Sequence, residues 1–191
     1  IRHALMHLWA GIPLTIGLAG DYVHTGSLAI EAMLATDLDR WLILAGILIN
    51  AAAPPFSSWL PDAYPEASPT GAVFLSAFTT KTAVLALILL FPGEQVLIWV
   101  GLYMVFYGII YALLENDARR ILAYSIINQV GFMVTAVGIG TELALNVAAV
   151  HAFAHIFSNS LLLMSAGVVL HRTGMRKCTD LGGLFRTLPV N

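Results

Sequence analysis

The sequence predicts an all-α protein, a polytopic transmembrane bundle of about six helices. Of its 191 residues, 59% are hydrophobic and only 10% are charged, and the mean hydropathy is +0.84. A soluble domain carries about 25% charged residues, so this chain lacks the side chains for a fully solvated surface. Helices are expected because a helix satisfies its own backbone hydrogen bonds in lipid.

The spans are predicted from their length, since a helix needs about 20 mainly apolar residues to cross a membrane. In chain order the six candidate segments are 4–19, 41–53, 71–91, 95–114, 120–139 and 143–170. The first contains Gly11 and Pro13, which should bend it. The second is short and stops at Pro54 and Pro55, which lack amide donors. We treat residues 1–191 as a single transmembrane domain.

The connections between these segments are polar. Residues 21–40 are acidic, and we expect a short surface helix around 28–35. Residues 54–70 are rich in proline and carboxylates, which predicts a loop. The tail at 172–191 is basic and is expected to lie along the membrane surface.

The basic residues predict the topology. If all six segments cross, seven basic residues fall on one side, and only Arg40 falls on the other. The seven are Arg2, Arg119, Arg120, Arg172, Arg176, Lys177 and Arg186. Both ends and the 54–70 loop are therefore expected to face the cytoplasm.

Lys81 lies near the middle of the third apolar segment. A charged side chain at the bilayer centre costs about 2.5–3.5 kcal/mol on insertion scales, and such residues usually face a bundle interior or a wet cavity. A lysine in that position can load and release a proton. The alternative is a purely structural lysine, hydrogen-bonded to hydroxyl or carbonyl groups.

A second polar cluster lies in "HAFAHIFSNSLLLMSAG". His151, His155 and Asn159 recur every four residues and so share one helical face, with Ser158 beside it. Two imidazoles one turn apart can pass a proton directly or through one water, because histidine titrates near neutral pH. Histidines that only hydrogen-bond between packed helices remain the alternative.

Other kinds of site find little support in the sequence. The pair of histidines lacks an evident third ligand, so a metal is not expected. There is no phosphate loop or dinucleotide fingerprint, and no cofactor is predicted. The net charge of −2 argues against nucleic acid as a partner.

Three stretches together resemble a known family. They are "FSSWLPDAYPEASPTGAVFLSAFTTKTAVLAL", "ENDARRILAYSIINQVGF" and "HAFAHIFSNSLLLMSAGVVLHRTG" followed by "DLGGL". The family is that of the antiporter-like membrane proteins of respiratory complex I and of the multisubunit Mrp-type cation/proton antiporters, and the sequence looks most like the MrpD type. The resemblance covers roughly residues 41–189.

The resemblance implies a partial antiporter-like fold, built from inverted repeats that each contain a broken helix. The broken helix would be the one ending at Pro54 and Pro55. Lys81 matches a lysine of the family's proton path, and His151 and His155 match its central histidine pair. Two positions where relatives carry lysine are Asn50 and Asn159 here.

Two functions are therefore expected from the resemblance. The first is a proton-conducting, cation/proton antiporter-like subunit of a larger chain or complex, with Lys81, His151 and His155 as the relay. Asn50, Asn159 and Ser158 would be polar waypoints. The second is a truncated, non-pumping structural subunit, which the two asparagines favour. Either would lie in a bacterial inner membrane beside other subunits, and Na+ or K+ as the exchanged ion stays open.

Overall fold

The structure is a computed structural model that describes residues 2–27 and 29–184, without the side chain of Arg2. These residues form seven α-helices and no β-strand, which confirms the predicted fold class. The helices are α1 (Arg2–Thr25), α2 (Leu38–Asn50), α3 (Trp59–Glu66), α4 (Pro69–Leu90), α5 (Val96–Leu114), α6 (Ala118–Ile139) and α7 (Glu142–Thr173).

Four of these helices, α4 to α7, are long and apolar enough to cross a membrane. Helix α1 has 24 residues but is less apolar. Helix α2 has 13 residues and reaches only about 20 Å at 1.5 Å per residue, short of a hydrocarbon core about 30 Å thick. All six predicted segments therefore lie on helices, whereas the crossing of α1 and α2 stays a prediction.

The outer surface of the bundle carries large apolar side chains. Trp99 on α5 and Phe153 on α7 are 75% and 65% exposed. A water-soluble protein rarely leaves apolar patches of this kind uncovered, so these faces suit lipid or neighbouring helices. The interior lies around α6, which buries the largest share of its residues and packs against α3, α4, α5 and α7.

The segment after α2 is mainly helical, so the predicted loop at 54–70 is wrong over most of its length. Helix α2 ends where Ala52 takes a left-handed φ of 62°, and a single 3-10 turn (Phe56–Ser58) leads into α3. Pro61 is the third residue of α3, where an amide donor has no helical partner to lose. Burial of Leu60 and Tyr64 then stabilises the short helix.

The predicted surface helix around 28–35 is also wrong for residues 29–35, while Leu28 lies outside the described residues. This segment has no helical turn. Its backbone instead donates outward, from Met33 to the Leu90 carbonyl at 2.7 Å and from Ala35 to the Glu94 carboxylate at 3.0 Å. The segment is thereby held against the end of α4, and its amides are not available for a helix.

The described part of the tail begins as helix, because α7 continues to Thr173. The chain then turns back along the α5–α6 connection, where Cys178 donates to the Asn116 carbonyl and Ala118 donates to the Arg176 carbonyl. Residues 185–191, with Arg186, lie outside the described residues, as does the Arg2 side chain. The expected position of the tail at the membrane surface stays a prediction.

Arg119 joins α3 to α6. Its side chain is 3% exposed, and its guanidinium donates to the carbonyls of Pro65, Tyr64 and Ala67 at 2.8, 3.2 and 3.0 Å. These carbonyls end α3 and have few partners within such a short helix. One buried cation therefore fixes α3, and with it the break after α2, against the centre of the bundle.

We expect Arg119→Met to lower the free energy of unfolding by about 3 kcal/mol, because each hydrogen bond to a charged group contributes about 1.5–3 kcal/mol. The measurement is reversible denaturation of the protein in mild detergent. Arg176→Met is the matched control: it removes an exposed ion pair with Glu66 and should change stability by less than about 1 kcal/mol. Equal losses in the two variants would contradict the role given to Arg119.

Candidate functional site

Lys81 lies inside the bundle on α4 and is 7% exposed. Its ammonium donates to the Ser76 carbonyl of the same helix at 2.9 Å. Within the described part of the chain, none of the ion pairs gives Lys81 a carboxylate. The predicted buried lysine is therefore present, held by a backbone carbonyl and facing α7.

The α7 face opposite Lys81 carries the predicted histidines and Asn159. Asn159 is buried and donates from Nδ2 to the Ser76 hydroxyl at 2.6 Å. His155 is also buried, and a charge on its ring would interact with the charge of Lys81. The structure thus brings Lys81, His155 and Asn159 together, as the helical spacing predicted for the two α7 residues.

His151 extends this cluster towards α6. Its ring centroid lies 6.3 Å from that of His155, and its Nε2 is 2.8 Å from the Gln129 amide oxygen. Since that oxygen can only accept, a neutral His151 carries its proton on Nε2. In contrast, His155 Nδ1 is buried with no hydrogen-bond partner among the described residues.

A cavity of about 270 Å³ lies along this part of α6 and α7. The polar residues that line it are Ser125, Gln129, His151, His155, Ser158 and Asn159. This volume holds several water molecules, and the polar lining offers them partners. Ser158 is exposed and marks the open side of the cavity, so it lines the cavity without linking two helices.

A second cavity of about 360 Å³ continues along α7, one turn closer to its N-terminus. Asn146, Val147, Val150, His151 and Ala154 line it. His151 and Ala154 belong to both cavities. His151 therefore lies where the two spaces meet, a position from which its ring can contact water in either one.

Asn50 belongs to a different cluster from the one that was predicted. It is the last residue of α2, and its amide oxygen lies 2.6 Å from His7 Nδ1 on α1. His3 and Trp59 pack against the same His7 ring. Local spacing around Asn50 offers no sign of this partner, which is 43 residues away along the chain.

Two residues of the Lys81 cluster were missed by sequence reasoning. Ser76 supplies both its carbonyl and its hydroxyl, and Gln129 supplies the acceptor for His151. A signal was present for each: Ser76 precedes Lys81 by five residues on α4, and Gln129 is polar within an apolar helix. No group of three His, Cys, Asp or Glu side chains suitable for a metal occurs in the described residues.

The whole sequence, residues 1–191, matches the family described as NADH:quinone oxidoreductase/Mrp antiporter, TM. It is 31% identical over 197 residues to a probable K(+)/H(+) antiporter A/B protein of Rhizobium meliloti, covering 94% of this chain and 20% of that protein. It is 35% identical over 211 residues to the N protein of the NADH-quinone oxidoreductase of Desulforudis audaxviator, covering 100% of this chain and 42% of that protein.

The fold agrees with these sequence matches. A chain of the Mrp complex from Dietzia superposes with a TM-score of 0.88 at 28% identity, covering 98% of this chain and 38% of that one. The present sequence therefore spans less than half the length of these relatives, and the rest of their helices has no counterpart in it.

We expect Ser76 and Asn159 to be energetically coupled, because their hydrogen bond joins α4 to α7 in a buried place. A double-mutant cycle of Ser76→Ala and Asn159→Ala should give a coupling of about 0.6–1.7 kcal/mol, the range measured for hydrogen bonds between membrane helices. Stability in detergent is the readout. Neither change touches the Ser76 carbonyl that holds Lys81.

The control cycle pairs Ser76→Ala with Ser158→Ala. Ser158 donates only to the His155 carbonyl of its own helix, at 3.4 Å. That pair should show no coupling beyond about 0.3–0.5 kcal/mol, the usual limit of additivity. A Ser76–Asn159 coupling as small as this would mean that the bond contributes nothing to joining the helices.

Proposed function

Because the chain belongs to the NADH:quinone oxidoreductase/Mrp antiporter family, we propose that it is part of a proton-conducting, cation/proton antiporter-like membrane subunit. Lys81, His155 and His151 would carry the proton. The observation that carries the proposal is the buried Lys81 ammonium, whose hydrogen-bond acceptor among the described residues is a backbone carbonyl. A lysine in that position can alternate between charged and neutral forms.

The first step of the route runs from α4 to α7. Lys81 and Asn159 meet at Ser76, one on its carbonyl and the other on its hydroxyl. Asn159 cannot titrate, so its part is to orient Ser76 and to hydrogen-bond water. The base that faces Lys81 is His155, whose Nδ1 has no partner among the described residues and is free to accept a proton.

The second step runs along α7. The rings of His155 and His151 are too far apart for a direct hydrogen bond, with centroids separated by 6.3 Å. Water in the cavity of about 270 Å³ would bridge them, because both rings line it together with Gln129. Gln129 holds the His151 tautomer, so that the Nδ1 of a neutral His151 is the proton acceptor.

A carboxylate partner for Lys81 would have to come from outside this sequence. The Asp and Glu side chains of the described residues lie near helix ends or in connections. The relatives are longer than this chain, and we propose that helices of a longer chain or of other membrane proteins in the complex cover the open side of the cavity. Protons are the proposed cargo, Na+ or K+ the exchanged cation, and a bacterial inner membrane the proposed location.

A structural, non-pumping subunit is the second candidate. Asn50 and Asn159 favour it, because both are neutral amides with hydrogen-bond partners, His7 and Ser76. In that case the cluster joins α4 to α7 and moves no proton. The two candidates differ in one respect that can be measured, namely whether removing a charge changes proton flux or only assembly.

We expect Lys81→Ala to abolish coupled proton movement while the native complex still assembles, since one side chain is lost and both Ser76 hydrogen-bond groups remain. Proton uptake by membrane vesicles with a pH-sensitive dye is the measurement, and native gel electrophoresis checks assembly. Lys177→Ala is the matched control because Lys177 is the other lysine of the chain and is exposed. Unchanged flux in assembled Lys81→Ala would exclude the relay.

We expect the double change of His151 and His155 to glutamine to lower proton flux at least tenfold, a typical contribution of a positioned proton-transfer group being about 10²–10⁴-fold. Glutamine keeps a hydrogen-bonding side chain but cannot carry the proton. His171→Gln, on an exposed histidine in the last turn of α7, is the control. Normal flux with reduced assembly would favour the structural candidate.

A further inference from the structure

A second cluster of titratable side chains lies at the end of α2, and the proposed relay does not use it. His3 and His7, one turn apart on α1, face each other edge to face with ring centroids 4.4 Å apart. The Trp59 ring packs against both, at 5.2 and 4.7 Å. His7 also contacts Asn50, the residue with which α2 ends.

The contact with Asn50 fixes which nitrogen of His7 is free. The Asn50 amide oxygen can only accept, so the His7 Nδ1 at 2.6 Å donates to it. A neutral His7 therefore presents a bare lone pair on Nε2. That atom is buried and has no hydrogen-bond partner among the described residues, and the same holds for His3 Nδ1. Two buried, unpartnered nitrogens on adjacent rings are costly unless something binds between them.

The end of α2 favours a positive charge at this place. The carbonyls at a helix C-terminus carry a partial negative charge equivalent to about half an electron. Trp59 marks the position of this end, because its indole nitrogen donates to the Ile49 carbonyl at 3.2 Å. A protonated His7 would thus lie beside the negative end of a helix, and its Nδ1 hydrogen bond to Asn50 would be retained.

The charged groups around the pair leave it as the local titrating site. Helix α1 has no ionisable side chain between His7 and Asp21, and α2 has none after Arg40. Helix α3 carries three. Asp62 interacts with Arg120, Glu66 pairs with Arg176, and the Tyr64 hydroxyl donates to the Leu75 carbonyl.

We propose that His3 and His7 bind one proton between them and form a second proton-binding site at the end of α2. The proton enters on His7 Nε2 and is shared with His3, since the short distance between the two rings allows their free nitrogens to meet. This site would supply, from α1, a positive charge at a position where α2 itself ends in a neutral asparagine. It does not rest on the Lys81 relay.

The pair is joined to the surroundings of Lys81 by buried aromatic rings. Trp59 contacts Tyr64 with centroids 6.1 Å apart, and both side chains are almost fully buried. Tyr64 in turn binds the Leu75 carbonyl, next along α4 to the Ser76 carbonyl that holds Lys81. A proton on the histidine pair would act on Lys81 through its electric field, because these rings offer no chain of water.

The test is a pH titration of the full-length protein in lipid, with ¹⁵N-labelled histidine and solid-state NMR as the readout. We expect one imidazolium to form on the pair between about pH 5 and 8, with His7 keeping its Nδ1 proton throughout. His7→Gln should remove this titration, and His3→Gln should weaken proton binding roughly tenfold, a shift of about one pH unit. His24→Gln, at the other end of α1, is the control and should leave the titration unchanged.

The proposal is overturned if His7 stays neutral over this range, or if His3→Gln leaves its titration where it was. Where His7→Gln fails to assemble, His3→Gln alone decides, because His3 donates no hydrogen bond to Asn50. Repeating the titration in Lys81→Ala separates the two sites. The pair should still bind its proton there even if Lys81 proves to have no part in proton flux.

Discussion

Ser76 is the residue on which the arrangement of the interior depends. Its carbonyl holds the Lys81 ammonium, and its hydroxyl accepts from Asn159. An unpaired ammonium or amide in a low-dielectric interior costs several kcal/mol, so these two bonds are what make the polar cluster tolerable. The same bonds set the register of α4 against α7, and that register places His155 opposite Lys81.

A similar pairing of polar groups holds the break after α2 in place. The carbonyls that α3 leaves open are satisfied by one guanidinium, that of Arg119, and the Ile49 carbonyl near the end of α2 by the Trp59 indole. In lipid such groups cannot turn to water. The break therefore exists because two long side chains from elsewhere reach its carbonyls, and the prolines alone would not stabilise it.

The sequence alone predicts those features that depend on local spacing. Apolar length locates α4 to α7, and the four-residue period puts His151, His155 and Asn159 on one face. What it misses depends on contacts between distant residues. Ser76 and Asn159 are 83 residues apart, and His7 and Asn50 are 43 apart. The 54–70 loop prediction failed because prolines early in a helix cost little, and tertiary burial of Leu60 and Tyr64 outweighed the composition.

The cluster also shows how protons can be coupled without a carboxylate nearby. Lys81, His155 and His151 are bases of the same charge type in one low-dielectric place, so two protons on adjacent members repel each other. The group then holds fewer protons than it has bases, and its titration belongs to the set instead of to any single residue. Loading one member favours release from its neighbour. A carboxylate approaching Lys81 from another helix would shift the proton distribution of the whole set, which is what coupling between two halves of a transporter requires.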